Sequence, residues 1–358
     1  MSLQALLGVD LPIVQAPMAG SQGHALAAAV SNAGALGSLP CALLGLAAMR
    51  DELSALTVAT AATAATARPF NVNFFCHAPP TPDAQREAQW RDALAPYYRE
   101  FGLDPRTLLT PLTPTSAPSR APFSLEAAQL LAQFRPPIVS FHFGLPAPDL
   151  LEHVRSWGAK VLASATTLEE ARWLEARGVD AIIAQGVEAG GHRGMFLSDD
   201  VTTQVGTFAL LPQVVRAVSR PVIAAGGIAD AAGVAAALAL GAAGVQLGTA
   251  YLLCPEATTS AVHRAALQSK SAHHTALTNL FSGRPARGIV NRLMRELGPI
   301  SNLAPAFPLA SAGITPLRAH AEANGSGDFS PLWSGQNASG CRAIPAAELT
   351  RQLAGGLR

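Results

Sequence analysis

A glycine-rich segment that contains one histidine is the part of this sequence best suited to chemistry. It reads QGVEAGGHRG over residues 185–194 and directly follows an apolar run at Ala181–Ile183. Its glycines allow the backbone to approach a ligand closely and to adopt positive φ angles. His192 can donate, accept or carry a proton near neutral pH, because histidine titrates there. We predict that His192 is catalytic; the alternative is a structural histidine in a mobile loop.

Two further glycine-rich turns follow apolar runs, in PVIAAGGIAD at 221–230 and in GVQLGT at 244–249. In a barrel, the loops after the seventh and eighth strands often form a phosphate site from backbone N–H groups and a helix N-terminus. Gly226, Gly227 and Gly248 have no side chains that would block an anion, and Thr249 can add a hydroxyl donor. The sequence therefore predicts a bound phosphate here, with ligand-free tight turns as the alternative.

Three residues near other predicted strand ends are candidates for the same pocket. Met18, in PIVQAPMAG, could pack against a flat ring, although a core methionine is the commoner outcome. Asn73 points away from Val72 along its strand and is expected to enter the barrel mouth as a hydrogen-bonding group. His142, in SFHFG, is expected to line the pocket, with a purely structural role as the alternative.

Short apolar runs alternate with helical patterns such as Ala84–Arg99, which favours a parallel sheet with helical crossovers. The predicted strands are Ile13–Ala16, Ala35–Ser38, Phe70–Phe75, Ile138–Phe141, Lys160–Ala165, Ala181–Gln185, Val222–Ala225 and Gly244–Leu247. Eight such units predict an α/β fold closed into a (β/α)₈ TIM barrel. The alternative, an open doubly wound sheet, normally carries a GxGxxG turn after its first strand, and none follows here.

Two regions depart from this repeat. Residues Pro105–Pro122 are rich in proline, threonine and serine and are predicted to form a long loop or insertion. The tail after Ser269 has no clear strand pattern and is predicted to form helices and loops packed on the barrel. We therefore expect a barrel over residues 1–269, with an insertion at about 76–136, and a C-terminal extension over residues 270–358 packed on the barrel.

Composition narrows the class of protein. Hydrophobic residues make up 49% of the 358 residues and charged residues 14%, which suits a buried core. With a net charge of +1 and scattered basic residues, we expect neither nucleic acid nor a membrane surface as a partner. The four cysteines form no CxxC or zinc-spaced cluster, so we expect no metal and a cytoplasmic location. The uncharged stretch Val234–Leu253 is interrupted by glycines and is predicted to be a helix, a turn and a strand.

Taken together, these motifs resemble those of the class I nitronate monooxygenases, formerly called 2-nitropropane dioxygenases. The resemblance covers nearly the whole chain and is carried by PIVQAPMAG, SFHFG, QGVEAGGHRG, AAGGIAD and GVQLGTAYL, with LWSGQ near Trp333. It implies a barrel with non-covalent flavin mononucleotide (FMN) that oxidises alkyl nitronates, such as propionate 3-nitronate, with O₂ to a carbonyl compound and nitrite. Such a reaction would serve detoxification.

The resemblance also implies roles for individual residues. It implies that His192 is the catalytic histidine. The flavin contacts that it implies are Asn73, Gln185, Gly190, Gly227, Gln246, Gly248 and Thr249. Two alternatives stay open at this point. One is an FMN-dependent quinone or enoyl-thioester reductase of the same barrel group, which would consume NAD(P)H. The other, from a different class, is a flavin-free barrel isomerase or lyase that binds a phosphorylated metabolite.

Overall fold

A barrel of eight parallel strands forms the centre of the computed structural model, which describes residues 2–61, 67–104 and 120–357. The strands of the described residues are β1 (Ile13–Gln15), β2 (Gly37–Pro40), β3 (Phe70–Phe75), β4 (Ile138–His142), β5 (Lys160–Ala165), β6 (Ala181–Gln185), β7 (Gly191–His192), β8 (Val222–Ala225), β9 (Gly244–Leu247), β10 (Thr275–Thr278) and β11 (Ala286–Ile289). The barrel sheet has the order β1-β9-β8-β6-β5-β4-β3-β2. A parallel bridge between Val14 and Leu36 closes it, which confirms the predicted barrel.

Helices follow most of the barrel strands, as the alternating pattern predicted. The α-helices of the described residues, including α1 before the first strand and those of the tail, are α1 (Leu3–Leu7), α2 (His24–Asn32), α3 (Leu46–Ala61), α4 (Ala84–Glu100), α5 (Leu125–Phe134), α6 (Pro148–Arg155), α7 (Leu168–Ala176), α8 (Thr207–Ala217), α9 (Ala231–Ala239), α10 (Ala261–Leu267), α11 (Arg292–Leu297), α12 (Ala310–Ala323) and α13 (Ala346–Leu353). Side-chain caps begin several of them: the Thr167 side chain accepts from Glu170 N, and that of Asp230 accepts from Gly233 N. Such caps satisfy backbone donors that a helix start leaves unpaired.

Apolar side chains fill the barrel on both sides of its wall, because its strands are buried on both faces. Inside lies a cluster that includes Val14, Leu36, Ile183 and Ile223. Leu3 joins this cluster from α1, a short helix that the sequence pattern did not reveal. A larger cluster lies between the strands and the surrounding helices. The interior is therefore a packed core, and space for a ligand is left at the strand ends.

The second strand differs slightly from its prediction. The apolar pattern predicted Ala35–Ser38, whereas β2 spans Gly37–Pro40. Its bounds are set by pairing with β3, from Gly37 opposite Phe70 to Pro40 opposite Asn73. A strand boundary depends on its partner's register, which local sequence does not contain.

The tail contains strands that the sequence pattern did not predict. Strands β10 and β11 pair antiparallel with each other, and β11 also pairs with β7. The expectation of helices and loops alone was therefore wrong. Each of the two strands has four residues, and β7 lies far away in sequence, so no local periodicity reveals the sheet.

Helix α4, which lies within the predicted insertion, packs against α12 of the tail. Trp90 Nε1 donates to Ala310 O at 3.2 Å, and Tyr98 Oη donates to Gly313 O at 2.8 Å. Of the predicted loop at Pro105–Pro122, residues 105–119 lie outside the described residues. Among the helices that the structure describes, none is long and apolar enough to span a bilayer. The uncharged Val234–Leu253 stretch forms the end of α9, then β9 and a 3₁₀ turn.

Candidate active site

One pocket at the carboxyl ends of the barrel strands contains every site residue that the sequence analysis selected. Those residues are Met18, Asn73, His142, Gln185, Gly190, His192, Gly226, Gly227, Gln246, Gly248 and Thr249. Together with the open solvent at its mouth, the pocket holds about 1370 Å³ of space that no protein atom occupies. The strand ends meet there because all eight barrel strands run in the same direction.

The glycine-rich segment after β6 is anchored by hydrogen bonds on both sides. Its residues Gly191 and His192 form β7 and pair with β11 of the tail. Gln185 Nε2 donates to His192 O at 3.1 Å, and Gln185 Oε1 accepts from Gly194 N at 2.7 Å. Gly191 has φ +71°, a conformation that favours glycine. The chain is therefore held in a defined turn that presents the His192 side chain to the pocket.

Arg193 fastens this turn from within the protein. Its side chain is fully buried and donates to Gln185 O at 2.6 Å, Gly186 O at 2.7 Å and Gln204 Oε1 at 2.9 Å. These bonds join the end of the turn to its start. A planar guanidinium can donate hydrogen bonds to several oxygen atoms at once. The ammonium group of a lysine could not reach the same three acceptors.

We expect Arg193→Met to destabilise the protein by about 2–4 kcal/mol, because buried carbonyl groups lose their donors. In a thermal melt this corresponds to a midpoint lower by roughly 3–5 °C. Arg216→Met, at an exposed site on α8, is the matched control and should change the midpoint little. Equal melting of the two variants would contradict the fastening role of Arg193.

Aromatic rings and cations surround the His192 side chain. The nearest ring centroids are those of Phe307 at 5.4 Å, Trp333 at 5.5 Å, and Phe75 and Phe143 at 6.0 Å each. Desolvation, followed by the charge of Arg120, then His142, Arg284 and His77, lowers the pKa of His192 well below its usual value of 6.5. The imidazole is therefore neutral at neutral pH.

A serine of the tail fixes the orientation of this imidazole. His192 Nε2 and Ser282 Oγ are 2.8 Å apart and share a hydrogen bond. Ser282 is buried and directly precedes the turn into β11. Because one ring nitrogen is held by the serine, the other nitrogen, Nδ1, is left for a ligand.

His142 lies beside His192 but has both ring nitrogens engaged. Its Nε2 lies 3.1 Å from His192 O and must carry the proton, because a carbonyl oxygen can only accept. Its Nδ1 therefore accepts from Ser164 Oγ, at 3.1 Å. Desolvation lowers the pKa of His142 to about 4, so the ring is neutral. This arrangement favours the structural alternative for His142, at the edge of the pocket.

The turns after β8 and β9 form a glycine-lined cradle on another wall of the pocket. Gly226 and Gly227 have φ angles of +113° and +75°. Thr249 Oγ1 accepts from Gly335 N at 2.9 Å, so its own hydroxyl proton remains available for a ligand. Asn337 Nδ2 donates to Gly227 O at 3.1 Å. The tail thus holds both turns in place.

Polar side chains of β3 and β9 face the same space. Asn73 Nδ2 donates to Ser140 O at 3.2 Å and to Ser140 Oγ at 3.0 Å. The Oε1 atom of Gln246 is buried and has no hydrogen-bond partner among the described residues. A buried acceptor without a donor costs free energy, so a ligand N–H at this position would be stabilising.

Several pocket residues were missed by sequence reasoning. They are Phe75, Arg120, Ser282, Phe307, Gly335 and Asn337, which line the pocket or contact His192. Most lie in the tail or beside residues 105–119, where no strand pattern marks a site. Trp333 and Gly335 could have been found, since both belong to the LWSGQ segment. Among the described residues, no cluster of histidine, cysteine, aspartate and glutamate could hold a metal ion.

Known proteins resemble this chain in both sequence and fold. A family model described as nitronate monooxygenase matches residues 1–356. A nitronate monooxygenase from Paraburkholderia phytofirmans is 44% identical, and the match covers 98% of this chain and 93% of that protein. One from Pseudomonas aeruginosa is also 44% identical, with coverage of 99% and 98%. The solved structure of a nitroalkane oxidase from Streptomyces ansochromogenes is 38% identical with a TM-score of 0.87, and covers 100% of this chain and 98% of that one.

Proposed function

This chain belongs to the nitronate monooxygenase family, and we propose that it oxidises alkyl nitronates with O₂ to a carbonyl compound and nitrite, using FMN. The observation that carries this proposal is that His192 and the glycine-lined cradle share one pocket. A nitronate is an anion, and the positive charges of Arg120 and Arg284 lie close enough to His192 to lower its pKa. Their positive potential favours an anionic substrate at this point.

The residues of the pocket fit FMN. Backbone N–H groups at Gly226, Gly227 and Gly248 would hold the phosphate, and Thr249 would donate its hydroxyl proton. The unpaired Gln246 Oε1 would accept from an N–H of the flavin ring, and Met18 would pack against the ring face. Bound FMN would supply the electron acceptor for the nitronate and the group that reacts with O₂. The protein's share is to bind and orient both partners.

His192 acts in this proposal as a neutral group that orients the nitro group. A nitronate has already lost its α-proton, so its oxidation needs no base. For a neutral nitroalkane, His192 would have to accept that proton at Nδ1. A lowered pKa keeps the imidazole neutral but makes it a weak base. We therefore propose that nitronates are better substrates than the parent nitroalkanes.

The purified protein is expected to be yellow and to release FMN, not a dinucleotide, on heat denaturation. The reason is that, among the described residues that line the pocket, the glycine-lined cradle between two adjacent turns offers room for one phosphate group. Absorbance and chromatography of the released flavin check this, and a nitronate should drive O₂ uptake and nitrite formation without NAD(P)H. Rapid NAD(P)H oxidation with a quinone or an enoyl thioester would favour the reductase alternative. Colourless protein that contains no flavin would favour the isomerase or lyase.

We also propose a cytoplasmic role in the removal of toxic nitronates. The cysteines Cys41, Cys76, Cys254 and Cys341 are all free, which suits a reducing compartment. We propose further that residues 1–269 bind the flavin and residues 270–358 cover it. Trp333, Gly335 and Asn337 of the tail support this, since they line the pocket.

A further inference from the structure

Ser140 presents a hydroxyl proton to the pocket from the barrel wall. Its side chain is 2% exposed, belongs to β4 and lines the pocket. Its Oγ accepts from Asn71 Nδ2 at 2.9 Å and from Asn73 Nδ2 at 3.0 Å. A serine hydroxyl has two acceptor lone pairs and one proton, so these two bonds use both lone pairs. The proton alone is left for a further hydrogen bond.

The neighbouring groups do not accept this proton. Among residues 2–61, 67–104 and 120–357, Ser140 Oγ takes part in hydrogen bonds as an acceptor and in none as a donor. Asn71 Oδ1 is buried and has no hydrogen-bond partner there. Asn73 Nδ2 lies 3.2 Å from Ser140 O, and a carbonyl oxygen can only accept, so Asn73 presents N–H groups to this serine. A buried donor without an acceptor costs free energy, which a ligand acceptor would offset.

Ser164 on the next strand, β5, is a useful contrast. It is also buried and lines the same pocket. Its Oγ lies 3.1 Å from His142 Nδ1 and donates to it, so its proton is already used. The two serines share residue type, burial and pocket, and they differ in whether the hydroxyl proton is available to a ligand.

The position of Ser140 restricts which part of a ligand can reach it. In the barrel order, β4 lies three strands from β8 and four from β9, so it stands across the mouth from the glycine-lined cradle. His142 lies two residues further along β4 on the same side, about 7 Å nearer the mouth, and its Nε2 bonds to His192 O. A phosphate in the cradle and a substrate at His192 are therefore both away from Ser140. The flavin ring is the part of the proposed ligands that fits this deeper level.

We infer that Ser140 is a flavin-binding residue whose hydroxyl donates a hydrogen bond to an acceptor atom of the FMN ring. Asn71 and Asn73 direct the proton into the pocket, because they occupy both lone pairs of the Ser140 oxygen. The inference rests on the proposed function and deepens it. Ser140 supplies a donor to the ring on the wall opposite β9, where Gln246 supplies an acceptor.

The test is FMN binding by flavin-free protein that carries Ser140→Ala. The Kd for FMN is expected to rise about 10-fold, because one hydrogen bond to the ring is lost. The two asparagines lose their acceptor whether or not FMN is bound, so that cost cancels in the Kd. An added electron makes the ring more negative, and a donor stabilises negative charge. The midpoint potential for the first electron should therefore fall by about 59 mV, the value of a tenfold change in a one-electron equilibrium.

Two further variants separate a ring contact from general damage. Ser164→Ala is the matched control and should change the Kd for FMN by less than about 2-fold, with an unchanged midpoint potential, because its proton is engaged by His142. Ser140→Cys keeps a weak donor of similar size, so its losses should be intermediate. Thermal melts check that each variant is folded, and Ser140→Cys serves if Ser140→Ala is not.

Each outcome either supports the assignment of Ser140 or overturns it. Loss of FMN affinity together with a lower potential, in the Ser140 variants and not in Ser164→Ala, would support it. Unchanged flavin properties, or equal losses in Ser140→Ala and Ser164→Ala, would overturn it and leave the proposed function intact. A raised KM for ethyl nitronate with unchanged FMN binding would also overturn it, because Ser140 would then contact the substrate. A wild-type protein that binds no FMN would instead remove the proposed function itself.

Discussion

Replacing His192 with asparagine is expected to abolish almost all oxidation of neutral nitroalkanes and to impair nitronate oxidation less. A well-placed base contributes on the order of 10² to 10⁴ in rate, and a nitronate needs no base. Asparagine keeps a polar group near the position of Nδ1 but is too short to reach Ser282, which is bonded to Nε2 at 2.8 Å. The flavin should remain bound, because His192 is assigned to the substrate and not to the phosphate cradle.

The measurement is a paired assay of O₂ uptake and nitrite with nitroethane and with ethyl nitronate. His273→Asn, at an exposed site, is the control for the substitution itself and should leave both activities unchanged. An equal loss on both substrates would show that His192 positions or stabilises the nitronate and accepts no proton. No loss on either would remove it from the mechanism. His142 would then be tested next, although both of its ring nitrogens are already bonded.

Gly227→Val is expected to weaken FMN binding by about 10- to 100-fold, enough for the protein to be isolated largely without flavin. Gly227 has φ +75°, and a β-branched residue avoids this conformation. The new Cβ would lie 3.7 Å from Glu188 Cβ, which is an ordinary contact. The main cause is therefore backbone strain, which moves the N–H groups of the cradle, and not direct filling of the phosphate position.

The flavin-to-protein ratio and an FMN titration of the flavin-free protein measure this effect. Gly325→Val is a close control, because Gly325 has φ +73° and open space around its Cβ, and it does not line the pocket. Similar strain there should lower stability without loss of flavin. If Gly227→Val retained stoichiometric FMN, the cradle would not be the phosphate site.

The strands of the barrel could be predicted because each carries its own signal. Strands such as Phe70–Phe75 and Lys160–Ala165 have the predicted bounds, since apolar runs end in glycine or polar residues where the chain turns. Strands β10 and β11 could not be predicted. They are stabilised by pairing with each other and with β7, and that pairing depends on the rest of the fold.

The sequence by itself determined the barrel and a set of strand-end residues that line one pocket, since parallel strands place all their carboxyl ends on one face. Only the tertiary structure decided what surrounds His192. Ser282 lies ninety residues away in the chain and reaches the imidazole through the β7–β11 pairing. The lowered pKa of His192 arises from desolvation and from the charge of Arg120, and both depend on how distant segments pack. Local residue patterns reveal neither the desolvation nor the charge effect. Both depend on which groups lie close together in space, and not on which are close along the chain.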